Sequence, residues 1–157
     1  MAALCAVAGC GSGSPKDAGD WNYAPPQGFE QQQKQSKSGA TVFFGPTDDN
    51  FRSNLQVISG TNANDNAQKL AQDRLAKATS DSSVKVKEQE AYKVADSDGY
   101  TWLITKPQPT GIVASQRQFI VKKNNVFVQF TLTASEKAMS QYDQALADSL
   151  QGFKWGR

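Results

Sequence analysis

The chain has only two thiols, Cys5 and Cys10, and both lie within its first ten residues. A thiolate is a nucleophile that can be alkylated or acylated, whereas catalysis by cysteine or serine needs an adjacent base. Histidine is absent from all 157 residues, which excludes Ser-His-Asp and Cys-His sites and histidine metal ligands. No Gly-x-Ser-x-Gly motif or glycine-rich phosphate loop is present. We therefore predict that the protein is not an enzyme.

The residues before Cys10 indicate a covalent modification of its thiol. Ala2 to Ala8 is small and apolar, as is typical of the end of a signal peptide. Val7-Ala8-Gly9-Cys10 resembles the lipobox of bacterial lipoproteins, which implies diacylglyceryl transfer to Cys10 and cleavage after Gly9. Residues 1–9 would then be a signal-peptide remnant. This remnant is short and has no basic residue, which an upstream start codon or a trimmed chain explains; the alternative is a chance match in a disordered terminus.

Residues 10–22 are predicted to form a lipidated, flexible tether. Gly, Ser and Asp dominate residues 11–19 and show no pattern that could pack. A flexible segment of this length reaches about 20 Å. Residues 23–157 then form one domain, whose size suits a single core. We expect an extracytoplasmic protein that is lipid-anchored to the cell membrane, with one thiol and no internal disulfide in the mature chain.

Composition narrows the classes of partner. Lys+Arg 17 against Asp+Glu 15 gives a net charge of +2, too even a balance to predict nucleic-acid binding. No apolar run approaches the roughly 20 residues that span a bilayer. The expected partners are the membrane, through the diacylglyceryl group, and an envelope protein. We expect no nucleic acid, no cofactor and a monomer.

The body of the chain switches between strand and helix periodicity. Apolar residues recur at helical spacing over 67–78 and over 138–150, and the candidate caps are Asp65 for the first helix and Thr133 or Ser135 for the second. Period-two patterns predict strands at 29–37, 41–44, 55–59, 84–94, 100–105, 112–123 and 126–132. Short turns, including one at Asp96-Ser97-Asp98-Gly99, make neighbouring strands antiparallel. The predicted fold class is α+β, an antiparallel β-sheet flanked by two helices.

Five short motifs, in this order, resemble those of one family. They are Pro26-Gln27-Gly28-Phe29, Phe51 to Val57, Asp98-Gly99-Tyr100, the paired stretches Gln118 to Val121 and Val126 to Thr131, and the closing Phe153. The family is the PsbP-like superfamily, which includes extrinsic photosystem II proteins, Ran-binding Mog-type proteins, DcrB and LpqN-type bacterial lipoproteins. The resemblance covers roughly Tyr23 to Trp155 and implies a PsbP-like αβα sandwich. It does not imply a chemistry, because the members share a fold rather than an activity.

Two groups of aromatic residues are candidate sites. Trp21, Tyr23 and Trp155 form a candidate partner surface, and the alternative is that they pack back onto the domain. A candidate apolar ligand pocket between sheet and helix comprises Phe43, Trp102, Phe130 and Tyr142, and the alternative is a filled core.

Charged clusters are weaker candidates. No metal site is expected, because the calcium-loop spacing that begins at Asp96 would need a Glu where Pro107 stands. Two basic pairs lie on predicted strands, Lys85/Lys87 and Lys122/Lys123. They either prevent strand edges from pairing with another chain or attract anionic lipid headgroups.

The predicted function is therefore that of a lipid-anchored, non-enzymatic envelope protein that binds another protein or supports an assembly at the membrane surface. The alternative is an extracytoplasmic carrier of a small apolar ligand.

Overall fold

The computed structural model describes residues 21–31 and 40–156, so Cys5, Cys10 and most of the predicted tether lie outside the described residues. Within the described residues, the elements follow the predicted order of strands, helix, four strands, helix, and one short strand that was not predicted follows the second helix. Their bounds are β1 Trp21–Asn22, β2 Glu30–Gln31, β3 Thr41–Asp48, β4 Phe51–Thr61, α1 Ala67–Thr79, β5 Lys85–Val94, β6 Ser97–Pro107, β7 Val113–Lys123, β8 Val126–Ser135, α2 Glu136–Leu150 and β9 Lys154–Trp155.

Seven of these strands form one antiparallel sheet in the order β2-β3-β4-β8-β7-β6-β5. The β5–β8 meander joins the β3–β4 hairpin because β8 pairs along β4, from Asn54 opposite Thr133 to Thr61 opposite Val126. β1 and β9 form a separate two-stranded sheet, here called the terminal ribbon. The predicted α+β class is confirmed.

Each face of the sheet packs against one helix. Helix α2 buries Leu146 and Leu150 against the face that carries Val57, Phe119 and Phe130. Helix α1 buries its apolar side, which comprises Ala67, Leu70, Ala71 and Leu75, against the opposite face. That face carries Tyr100, Trp102, Ile104 and Ile120. Because strand side chains alternate between faces, one layer of strands serves two cores, and the predicted sandwich is confirmed.

Hydrogen bonds fix the starts of both helices. Asn66, not Asp65, is the N-cap of α1, and its side-chain oxygen accepts a hydrogen bond from the Lys69 backbone N–H at 2.8 Å. Asp65 instead accepts a hydrogen bond from the side-chain amide of Asn62. Of the two caps considered for α2, Ser135 is the one used.

The β5–β6 turn lies two residues earlier than predicted. Ala95 and Asp96 both have positive φ, at 48° and 58°, as a two-residue type I′ hairpin requires. Ser97 pairs with Val94 directly after the turn. The predicted turn residues 97–99 therefore belong to β6.

The N-terminal part of the domain also differs from its predicted boundaries. Trp21 and Asn22 were predicted to end the tether, but they form β1 of the terminal ribbon. Of the edge strand predicted at 29–37, only Glu30–Gln31 is a described strand, and residues 32–39 lie outside the described residues.

A bulge in β3 brings the chain close to a buried ring. Phe44 pairs with Asn54 and Thr47 with Arg52, so β3 carries one extra residue between these pairs. A Cβ on Gly45 in this bulge would lie 2.6 Å from the Phe29 ring. Only glycine fits there without displacing that ring.

We predict that Gly45→Ala lowers the free energy of unfolding by about 1–3 kcal/mol, because the buried Phe29 ring must move. Gly152→Ala is the matched control, since its Cβ would meet nothing closer than 3.4 Å and should change stability by less than ~0.5 kcal/mol. Urea unfolding of both variants checks this. Equal effects would contradict the close approach at Gly45.

Candidate functional site

The terminal ribbon brings the two ends of the described domain together. Trp21 pairs with Trp155 and Asn22 with Lys154. The chain can return in this way because a turn follows α2, with the Phe153 N–H donating to the Leu150 carbonyl. β1 and β9 therefore lie side by side although they are at opposite ends of the sequence.

Phe153 is the centre of an aromatic cluster beneath the ribbon. It is 1% exposed. Its ring centroid lies 6.3 Å from that of Trp21 in a stacked arrangement, and 5.7 Å and 5.0 Å from those of Phe130 and Trp155 in edge-to-face arrangements. Such pairs each contribute about 0.5–1.5 kcal/mol beyond area burial. The ribbon is thus fixed to the α2-side core by ring packing.

Polar groups at the edge of this cluster are also paired. The Trp155 indole N–H donates to the Ser97 hydroxyl at 2.7 Å. The Tyr23 ring packs edge-on against Phe130 at 4.8 Å, and its hydroxyl shares a 2.8 Å hydrogen bond with Ser149. Burial raises the pKa of Tyr23 to about 12, and the hydrogen bond with Ser149 opposes only part of this shift.

The three residues of the predicted partner surface therefore come together in one place. Trp21, Tyr23 and Trp155 are each half-buried, and all three pack against the core. This arrangement matches the alternative in which they fold back onto the domain. Their half-exposed rings leave the proposed role in partner binding as a prediction.

The residues of the predicted ligand pocket are divided between the two faces. Phe43, Phe130 and Tyr142 are buried on the α2 side, whereas Trp102 is buried beneath α1. The Tyr142 hydroxyl donates to Asp48 at 2.6 Å, and burial together with this hydrogen bond raises the pKa of Tyr142. These four residues do not line one pocket.

A buried row of polar side chains on the α1 side was missed by sequence reasoning. The row consists of Gln116, Gln118, Gln129, Thr131 and Thr133, each at most 8% exposed. Its amides are linked by hydrogen bonds, the shortest of which runs from Gln129 Nε2 to Gln118 Oε1 at 2.7 Å. Among the described residues, Gln129 Oε1 and the nearby Trp102 Nε1 are buried without a hydrogen-bond partner. The sequence signal for this row was the alternation of polar residues along β7 and β8, which ordinarily indicates a face of the sheet that is exposed to solvent.

A second missed feature is the buried guanidinium of Arg117. Its side chain is 6% exposed and forms two hydrogen bonds to Asp143 of α2, at 2.8 Å and 3.0 Å, and one to Glu88 of β5 at 2.5 Å. Burial lowers the pKa of Arg117, but the hydrogen bonds to the two carboxylates outweigh it and raise the pKa overall. The network ties α2 to the sheet. Its sequence signal was a lone arginine between two glutamines in the middle of β7.

The described residues contain no group of three or more His, Cys, Asp or Glu side chains placed to hold a metal ion. Neither described helix is long and apolar enough to cross a membrane. The predicted lipid-attachment residue, Cys10, lies outside the described residues.

Comparison with solved structures identifies the fold. LpqN of Mycobacterium tuberculosis, described as involved in cell envelope biogenesis, aligns with a TM-score of 0.71 at 13% identity over 90% of this chain and 87% of LpqN. The cyanobacterial PsbP of Synechocystis aligns with a TM-score of 0.60 at 15% identity over 87% and 86% of the two chains. The Ran-binding protein Mog1p of Saccharomyces cerevisiae gives 0.58 at 10% identity over 86% and 89%.

The chain has the PsbP-like fold. No protein-family model and no curated protein sequence matches it. Identities of 10–15% show the fold alone, so what each neighbour does is a property of that neighbour. The two helices and the antiparallel sheet of this PsbP-like domain are what the sequence resemblance implied.

The Arg117 network yields a stability prediction for the PsbP-like domain. Asp143→Ala should lower the free energy of unfolding by about 2–3 kcal/mol, because it leaves a buried cation with only one carboxylate partner among the described residues. Glu88→Ala should cost less than ~1 kcal/mol, since the Glu88 side chain is 57% exposed. Chemical denaturation of the two variants compares these effects. A larger loss for Glu88→Ala would refute this assignment of the principal partner.

Tyr23 yields a prediction at alkaline pH. A tyrosine pKa raised from 10.0 to about 12 means that between these values the unfolded state loses a proton that the folded state keeps. The stability that Tyr23 contributes is fully present below pH 10 and falls as pH rises towards 12. Between about pH 9 and about pH 11.5, wild type should lose about 2 kcal/mol more stability than Tyr23→Phe. Urea unfolding at the two pH values measures this, and equal losses would contradict the burial of Tyr23.

Proposed function

We propose that this PsbP-like domain is a lipid-anchored, non-enzymatic binding domain of the bacterial cell envelope. The observation that carries the proposal is the lipobox-like Val7-Ala8-Gly9-Cys10, which ends ten residues before β1 begins. A diacylglyceryl group on Cys10 would hold the folded domain at an extracytoplasmic membrane surface. The structural likeness to LpqN, an envelope-biogenesis protein, supports the same compartment.

Tethering is the proposed mechanism. A domain confined to the plane of a membrane meets other membrane components at a raised effective concentration, so a modest affinity for an envelope protein suffices. The absence of histidine from the sequence removes the commonest general base and favours binding over catalysis.

The carrier alternative has weaker support. An apolar ligand needs an open cavity between sheet and helix. Trp102 lies on the other face from Phe43, Phe130 and Tyr142, and on the α2 side the Tyr23 ring packs against both Phe43 and Phe130. These rings pack against one another where an apolar ligand would have to lie, so we favour the binding domain over the carrier.

The lipid anchor is tested by expressing the gene from its natural start in a bacterium and measuring the intact mass of the protein in the membrane fraction. We expect the mass of residues 10–157 plus a diacylglyceryl group. Cys10→Ser should abolish this species and release the protein from the membrane. Cys5→Ser is the matched control and should leave the species intact, because Cys5 precedes the cleavage point.

An unmodified wild-type chain in the soluble fraction would contradict the proposed lipid anchor. Loss of the modified species in Cys5→Ser but not in Cys10→Ser would mean that the wrong thiol has been assigned.

A further inference from the structure

The end of the sheet next to the terminal ribbon also carries two hairpin turns. The Trp155 indole donates a hydrogen bond to the first residue of β6, directly after the Ala95–Asp96 turn. Val121 of β7 pairs with Gly99 near the start of β6, so residues 122–125 lie at this end as well. We define the ribbon end as the terminal ribbon together with residues 93–98 and 122–125.

Two of the three tryptophans of the chain lie at the ribbon end. Trp21 and Trp155 are half-buried and pair across the ribbon, whereas Trp102 is 1% exposed beneath α1. A half-exposed indole, with an apolar body and a polar N–H, is favoured at the boundary between a bilayer and water.

The ribbon end also carries cationic groups that are free of ion pairs. They are Lys93, Lys122, Lys123 and Lys154, none of which forms an ion pair with another described residue. The acidic side chains at or beside this end are Asp65, Asp96, Asp98 and Asp148, and among the described residues none of them forms an ion pair with these lysines. Towards the opposite end of the sheet, Lys106 and Lys137 are paired with Asp81 and Asp49. Unpaired lysines attract anionic lipid headgroups near a membrane surface.

We propose that the ribbon end docks on the anionic surface of the membrane in which Cys10 is anchored. This inference rests on the lipid anchor of the proposed function. Ten residues separate Cys10 from Trp21, so these residues lie at most about 40 Å apart. The opposite end of the sheet lies about one strand length, roughly 35 Å, further away. The anchor therefore keeps the ribbon end within reach of the bilayer, and docking there places both indoles in the interface and the lysines against phosphate headgroups.

Tryptophan fluorescence provides the test. The mature chain, residues 10–157, is coupled through its only thiol, Cys10, to a maleimide lipid in phosphatidylcholine–phosphatidylglycerol vesicles that contain brominated acyl chains. Bromine quenches only indoles that lie at the bilayer. We expect clear quenching of the wild type and at least a fivefold smaller effect in Trp21→Phe/Trp155→Phe, which keeps the ring packing and retains only Trp102.

The lysines are tested with charge-matched variants. Lys122→Glu/Lys123→Glu should reduce the quenching at least twofold. Lys85→Glu/Lys87→Glu makes the same change in net charge on the edge strand β5, away from the ribbon end. This variant should leave the quenching unchanged. Circular dichroism establishes that each variant is folded.

Absence of quenching in the wild type would overturn the proposal. The alternative would then be that the ribbon end binds an acidic protein surface. Equal quenching in the two lysine variants would equally overturn it. Chemical coupling bypasses cellular lipidation, so a failure here is distinct from a failure of the Cys10 test.

Discussion

The packing of Phe153 is the interaction on which the rest of this structure depends. Its ring is 1% exposed, and it contacts Trp21 in β1 and Phe130 in the central strand β8. The ribbon has only two residue pairs, and besides Phe153 it is held by the Trp155–Ser97 hydrogen bond and by Tyr23, which follows β1 and packs on Phe130. A two-stranded sheet of that size is not stable by itself. The position at which the chain enters the domain thus depends on this buried ring.

The cores on the two sides of the sheet differ in polarity, and the candidate functional features are divided between them. The α2 side is mostly apolar, carries the Arg117 network and supports the ribbon. The α1 side combines Trp102 and Ile120 with a linked row of buried amides and hydroxyls. Buried polar networks require almost complete hydrogen bonding. Within residues 21–31 and 40–156, Gln129 Oε1 and Trp102 Nε1 are the two atoms where the α1 side departs from that requirement.

Local features of the fold could be predicted from the sequence, whereas the site depended on distant pairing. Apolar spacing and a serine cap were enough to place α2, because both act within a few residues. The face that Trp102 occupies could not be predicted. It follows from Trp102 lying opposite Gln118 and Gln118 opposite Thr131, which puts Trp102 on the face away from Phe130. The partners of Arg117 lie 26 and 29 residues away along the chain, so local sequence patterns do not identify them. The β5–β6 turn was predicted two residues too late because Ala95 adopts a positive φ, which residues with a Cβ do not favour.

The most direct test of this account is amide hydrogen exchange at the terminal ribbon. We predict that backbone amides of the ribbon, at Trp21, Asn22, Lys154 or Trp155, exchange more slowly than in a short peptide. Phe153→Ala should remove this protection while the amides of β7 and β8 stay protected, because the central sheet does not rely on the ribbon. Ribbon amides that exchange at peptide rates in the wild type, or that keep their protection in Phe153→Ala, would contradict the central role of this ring.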